Sequence, residues 1–180
     1  MPQVVNEISF TLTGPDFEPT GKEWLNATDE ERVMSYTRLA ELMQQRKRYE
    51  IAMGIGASGD KLEPVQEKSR PDGATGKPLD PHYGESQIID LMRTAIGRKS
   101  ATLFWQGTRP KGRALTFGQI LRAHANGNVR GAPARDHLGL SPAGQNWCRR
   151  EIREWWKRWL KRKERRPWGR FFNRLFRSAR

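Results

Sequence analysis

The chain has 180 residues, of which 36% are hydrophobic and 29% are charged, and its formal net charge is +13 at pH 7. This length fits a single domain, and the low hydrophobic share predicts a modest core. The single cysteine, Cys148, excludes an intramolecular disulfide, and no run of about 18 apolar residues is present to form a transmembrane helix. The first ten residues have neither the basic nor the apolar region of a signal peptide, so we expect an intracellular, reducing environment.

The N-terminal part of the chain predicts a short strand and then a long helix. The strand is indicated by alternating and clustered apolar residues before the loop at Gly14-Pro15, namely Val4, Val5, Ile8, Phe10 and Leu12. Thr28 and Glu31 have the spacing of a capping box, which predicts a helix from there to about Met53. Three- and four-residue spacing predicts its buried stripe, made of Val33, Tyr36, Ala40 and Met43 and widened by Leu39 and Leu42.

The rest of the chain predicts a long loop, short elements and a final helix. Residues 54–83 are rich in Gly, Pro, Ser and Asp and lack apolar periodicity, which is typical of a loop. We predict a helix over 85–94, a strand over 101–105 and a short helix over 116–125 that stops at Asn126-Gly127. Ser141-Pro142 has the pattern of an N-cap followed by a first-turn proline, and the helix that it begins can run to Arg166. The fold class that these elements predict is α+β, a small antiparallel sheet packed against a long helix and short helices, with a basic amphipathic C-terminal helical arm.

Charge divides the chain into two parts. Residues 149–180 carry fourteen Lys and Arg against three Glu, a net charge of +11, which leaves only +2 of the total +13 for residues 1–148. We therefore predict a near-neutral α+β body over 1–148 and a cationic helical arm, rich in Trp and Arg, over 149–180.

The predicted arm has an apolar face and a basic face, and three interpretations of it stay open. The apolar face is a predicted docking face formed by Ile152, Trp155, Trp156, Trp159 and Leu160. The candidate phosphate contacts are basic residues along the rest of the arm: Arg150, Arg153, Lys157, Lys161, Arg165, Arg170 and Arg174. The apolar face can dock on the protein's own body or on a neighbouring subunit, the basic residues can bind nucleic-acid phosphates, or the Trp-rich face can bind a membrane surface. Spacing alone does not separate these three.

The motifs that carry enzymatic chemistry are weak in this chain. Residues 54–59 match the glycine spacing of a dinucleotide fingerprint, but a predicted helix precedes them where that site needs a strand, and Pro64 follows where it needs a helix. The three histidines, at positions 82, 124 and 137, are too far apart for a local metal motif, and no Ser, Cys or Thr lies in a recognisable nucleophile context. We therefore predict no catalytic residue, no metal site and no cofactor, and a protein that is not an enzyme.

A segment near the last helix resembles a known family. The stretch 117–127, FGQILRAHANG, is followed by 132–141, APARDHLGLS. This pattern of a short helix ending at Gly, then Pro-Ala-Arg, Leu-Gly and Ser before a last helix, resembles the virion morphogenesis (tail-completion) proteins of Mu-like tailed phages. The resemblance covers residues 30–160, and His137 stands where the family usually has an aromatic residue.

The same segment predicts a structural clamp on physical grounds. Pro133 holds the chain extended, Arg135 can pair with backbone carbonyls or an acid of the body, and Leu138 is expected to be buried. Gly139 permits close approach of the backbone, and Ser141 caps the last helix.

The resemblance implies a structural role in a virus particle. It implies a protein at the head–tail neck or the tail end that completes or terminates the tail as a homo-oligomeric ring. The expected partners are other virion proteins (tail tube, connector or portal-side proteins), with packaged DNA as a further candidate and a membrane disfavoured. The expected location is the virion, and the host cytoplasm during assembly. The alternative is a nucleic-acid-binding protein that acts through its basic C-terminal arm.

Overall fold

The protein combines a small sheet with two long helices. The structure is a computed structural model that describes residues 8–62, 92–105 and 138–165, together with 119, 122, 123 and 125–127. A strand β1 (Ile8–Thr13), a 3-10 turn (Pro15–Phe17) and a one-turn helix α1 (Lys22–Leu25) precede the first long helix, α2 (Asp29–Met53). The hairpin β2 (Met92–Gly97) and β3 (Ser100–Trp105) and the second long helix, α3 (Pro142–Arg165), complete the described elements. The predicted α+β fold with a small antiparallel sheet is confirmed.

The sheet has the strand order β1-β3-β2, and both pairings are antiparallel. Paired residues lie on the same face of a sheet, so Leu12 and Ala101, which pair with each other, share their face with Leu103 and Trp105. These four side chains and Met92, the partner of Trp105, are buried in the core. The opposite face is more polar, as the hydrogen bond between the hydroxyls of Thr11 and Thr102 shows. Among the described residues, the buried face of the sheet therefore packs against α2.

The capping box of α2 is confirmed. The Glu31 amide donates to the Thr28 hydroxyl at 3.3 Å, and the Thr28 amide donates to the Glu31 carboxylate at 2.9 Å. The helix ends at Gly54, which adopts a left-handed conformation with φ of 64°. The predicted stripe is buried from Tyr36 onward, but Val33, in the second turn of the helix, is 48% exposed, so this member of the predicted stripe was wrong.

Helix α3 packs antiparallel to α2. Near one end, Lys163 of α3 forms an ion pair with Glu31 of α2, and near the other Ser141 contacts Glu50. Between these ends Cys148 and Ile152 of α3 are fully buried in the core that it shares with α2.

The structure corrects one expectation about the elements. Residues 92–94, placed at the end of a predicted helix over 85–94, belong to strand β2; the rest of that prediction lies outside the described residues. The cause is that Met92 alone is buried in β2, so this edge strand lacks the apolar alternation that reveals a strand. As predicted from Ser141-Pro142, α3 runs across the boundary drawn from charge between residues 148 and 149, and it contributes core side chains on both sides of it. As far as residue 165, the predicted arm is thus a helix of the fold.

Candidate functional site

Residues 138–141, which precede α3, lie against the C-terminal half of α2. They are the described end of the stretch 117–141 that carries the family resemblance. Leu140 and Ser141 are buried, and Leu138 is half-buried against the core. Gly139 has a φ of 122°, a backbone conformation that favours glycine, and a β-carbon there would lie 3.5 Å from Ala57 Cβ. The chain thus turns closely over the end of α2 before it enters α3.

Glu50 of α2 binds Ser141, the residue immediately before α3. Its side chain is fully buried and accepts a 2.6 Å hydrogen bond from the Ser141 hydroxyl and two 3.3 Å bonds from the Ser141 amide. The same hydroxyl accepts a bond from the Gly144 amide at 3.0 Å, so Ser141 is the N-cap of α3, as predicted. A carboxylate beside a helix N-terminus is stabilised by the partial positive charge there.

Two cations of α2 complete the contact. Lys47 is fully buried, donates to the Gly139 carbonyl at 2.8 Å, and lies 4.0 Å from the Glu50 carboxylate. Arg46 donates to the same carboxylate at 3.3 Å and stacks on Tyr49, with 4.8 Å between the guanidinium carbon and the ring centroid. A buried carboxylate is tolerable only when such charges and donors surround it. We call Arg46, Lys47, Glu50 and Ser141 the polar clamp.

Gly144 allows the two helices to approach each other at the polar clamp. A β-carbon at this position would overlap the Glu50 carboxylate and would lie 3.2 Å from Arg46 Cγ. Since Glu50 is fixed by its hydrogen bonds, it cannot move aside at low cost. The helix crossing therefore requires glycine here.

Only part of the clamp predicted from the sequence lies within the described residues. Leu138, Gly139 and Ser141 have the positions given above, whereas Pro133 and Arg135 lie outside the described residues. Lys47 and Glu50 were not predicted from the sequence, because charged residues on a long helix usually face solvent. The sequence contained one signal. Glu50 lies in the last turn of α2, where the partial negative charge of the helix end disfavours a carboxylate unless another part of the protein stabilises it.

A second contact fastens the middle of α3. Trp156, which is 2% exposed, packs edge-on against Trp24 with 5.3 Å between ring centroids. The Glu18 carboxylate accepts bonds from Trp24 Nε1 at 3.1 Å and from the Tyr36 hydroxyl at 2.6 Å. Burial raises the pKa of Tyr36, and the hydrogen bond to Glu18 raises it further. This cluster joins the N-terminal segment, α2 and α3.

The predicted docking face of the arm lies against the protein's own body. Ile152 and Trp156 are buried in the core, and Trp155, Trp159 and Leu160 are half-buried against it. Trp159 stacks on Trp156 with 4.8 Å between centroids. Of the three interpretations left open by the sequence, this is the geometry of docking on the body.

The structure divides the candidate phosphate contacts into paired and unpaired side chains. Arg150 pairs with Glu151 at 3.4 Å, Lys157 pairs with Glu154 at 2.8 Å, and Arg153 donates to the Asp16 carbonyl. Lys161 is exposed and, among the described residues, has no acid within 4 Å.

Arg158 and Arg162 were not among the predicted phosphate contacts. Both are exposed, lie on the same side of the helix as Lys161, and have no acid of the described residues within 4 Å. Of the remaining candidates, the Arg165 side chain, Arg170 and Arg174 lie outside the described residues.

Three features of the described residues bear on enzymatic chemistry. They contain no group of three His, Cys, Asp or Glu that could hold a metal ion. Burial raises the pKa of the Cys148 thiol to about 12, so it stays protonated and unreactive at neutral pH. Residues 54–59 follow a helix and form a turn closed by the Gly56 amide and the Asp60 carbonyl at 2.8 Å, which is not the strand–loop–helix of a dinucleotide site. The three histidines lie outside the described residues.

Within the described ranges, the chain has no helix long and apolar enough to cross a membrane. Comparison with protein-family models, with curated protein sequences and with solved structures gave no match.

Proposed function

We propose that this chain is a structural protein of a tailed-phage virion, acting at the head–tail neck or the tail end, where it completes or terminates the tail as a homo-oligomeric ring. The observation that carries the proposal is the polar clamp. The described end of the family-like segment, 138–141, is bound by two fully buried charged residues, Lys47 and Glu50. These charges bind backbone and a helix start, so they serve architecture and are not available for chemistry.

The sheet supports assembly with further copies. In the described part of the chain β1 and β2 are its edge strands, and β2 is exposed from Arg93 to Gly97. Ile96 on this edge is 42% exposed. An exposed edge strand can pair with another chain, and contacts that join different surfaces of identical subunits form a ring when the rotation between subunits closes. We assign the β2 edge to the contact between adjacent subunits.

Native mass spectrometry of the purified full chain tests the ring. We expect one closed oligomer larger than a dimer. Ile96→Lys places a charge at the proposed contact and should shift the population towards monomer. Because Ile96 pairs with the buried Ala101, urea denaturation of the variant checks that the fold is kept. Leu25→Lys is the matched control, since Leu25 is an apolar residue, 75% exposed, on α1. A monomeric wild type, or equal loss of the oligomer in both variants, would contradict the assignment.

A further inference from the structure

The outward side of α3 is a basic strip without an apolar centre. Residues 150–164 contain seven Lys and Arg against three Glu, a net charge of +4. Five exposed cations, defined here as the basic strip, follow the helix over about 18 Å at the usual rise per residue: Arg150, Lys157, Arg158, Lys161 and Arg162. Two of these have acid partners on the helix, which leaves Arg158, Lys161 and Arg162 as the unpaired centre among the described residues.

The local electrostatics agree with this description. The pKa of Glu154 is lowered, first by the hydrogen bond from Lys157 and by the charge of Lys157, and then by the charges of Arg158 and Lys161. Lys163 does not belong to the strip, because it pairs with Glu31 and lies over the Trp159 ring at 5.2 Å. The strip is thus a surface of positive potential on a helix whose other side is fixed in the core.

We propose that the basic strip binds the phosphate backbone of double-stranded DNA. A duplex presents one negative charge per about 1.7 Å of its axis, so phosphates match cations spaced along a helix face. This inference goes beyond the structural function proposed above, since assembly into a ring does not require it.

The burial of the predicted docking face favours double-stranded DNA over other anionic partners of the basic strip. An interfacial membrane helix must insert its apolar side, but Ile152 and Trp156 are occupied in the core. Single-stranded nucleic acid is bound by stacking on exposed aromatic rings, and none of the four Trp on the described part of α3 is exposed. A protein interface normally has an apolar centre and few lysines, which the basic strip does not offer. A regular array of phosphates remains the best match.

Fluorescence anisotropy with a short labelled duplex and the purified full chain tests the proposal. We expect wild-type binding that weakens as salt rises between about 50 and 200 mM. In Arg158→Gln/Lys161→Gln/Arg162→Gln, affinity should fall about tenfold or more, and the slope of log K against log salt should decrease in magnitude by about 3, or about 1 for each lost phosphate contact. Lys161→Gln alone should change the slope by about 1.

The control has the same change of net charge elsewhere. Lys22→Gln/Arg48→Gln/Lys99→Gln removes three exposed cations from α1, α2 and the β2–β3 turn, and it should bind as wild type does. Equal loss in the control would show attraction by net charge alone and would overturn the proposal. Wild-type strength in the strip variant would also overturn it, as would binding to vesicles of anionic lipid or to an acidic peptide without binding to DNA. Native mass spectrometry of the strip variant should still show the wild-type oligomer, so failure of this proposal is distinct from failure of the ring.

Discussion

The Ser141 hydroxyl donates a 2.6 Å hydrogen bond to the buried Glu50 carboxylate, 91 residues earlier in the chain. This contact joins the end of α2 to the start of α3, and it satisfies a helix N-terminus with a carboxylate instead of water. The polar clamp and the packing of Trp156 on Trp24 together make α3 part of the fold.

Removing the charge of Glu50 should destabilise the protein. Glu50→Gln keeps the size of the side chain but takes the negative charge from beside Lys47 and from the start of α3. Breaking a buried ion pair costs about 3–5 kcal/mol, which should appear as a lower midpoint in urea denaturation. Glu41→Gln is the control on the same helix: Glu41 pairs with Arg38 at the surface, and its loss should cost at most about 1 kcal/mol. Equal effects of the two variants would contradict the role given to Glu50.

Gly144→Ala should destabilise the protein although alanine is the better helix former. The new methyl group would overlap the Glu50 carboxylate and press on Arg46, and such overpacking costs about 1–3 kcal/mol. Ala143→Gly is the comparison at the exposed neighbouring position in the first turn of α3, where glycine should cost at most about 1 kcal/mol through helix propensity alone. A more stable Gly144→Ala variant in urea denaturation would show that the helices are not in close contact there.

Trp156→Ala should cost about 3–5 kcal/mol of unfolding free energy, because a buried indole and its contact with Trp24 are lost. Arg158→Ala, two residues further on the exposed side, should change stability by less than about 0.5 kcal/mol. Chemical denaturation of both variants measures the difference. If Trp156 proved as dispensable as Arg158, α3 would be an appended arm after all.

The buried thiol of Cys148 predicts slow reactivity and a pH dependence. A thiol reagent should modify native protein at neutral pH only through unfolding, since Cys148 is fully buried and burial also keeps the thiol protonated. The pKa is raised in the folded state from 9.0 to about 12, so the folded protein holds the proton more tightly than the unfolded chain. The stabilisation is therefore complete below pH 9 and is lost as pH rises from 9 towards 12, by up to about 1.4 kcal/mol per pH unit.

Cys148→Ala provides the reference for this pH dependence. Between pH 9 and 10 the unfolding free energy of the wild type should fall more steeply than that of the variant. Parallel slopes in urea denaturation, or rapid modification of native Cys148, would show that the thiol reaches solvent.

The sequence predicts the long helices well, because their signals are local. The capping box at Thr28 and Glu31 and the Ser141-Pro142 start are read within four residues of chain. Strand β2 and the polar clamp were missed for a different reason. The exposure of β2 and the burial of Glu50 depend on partners far along the chain, and no local sequence spacing indicates them.

The most direct test of the proposed function uses a phage or prophage that encodes this chain. We predict that deleting the gene leaves filled heads and separate tails that fail to join, or tails of abnormal length or ending, in electron micrographs of lysates. Expression of the intact chain should restore complete particles, and Glu50→Gln should restore fewer. Complete, infectious particles in the absence of the gene would contradict a structural role in the virion.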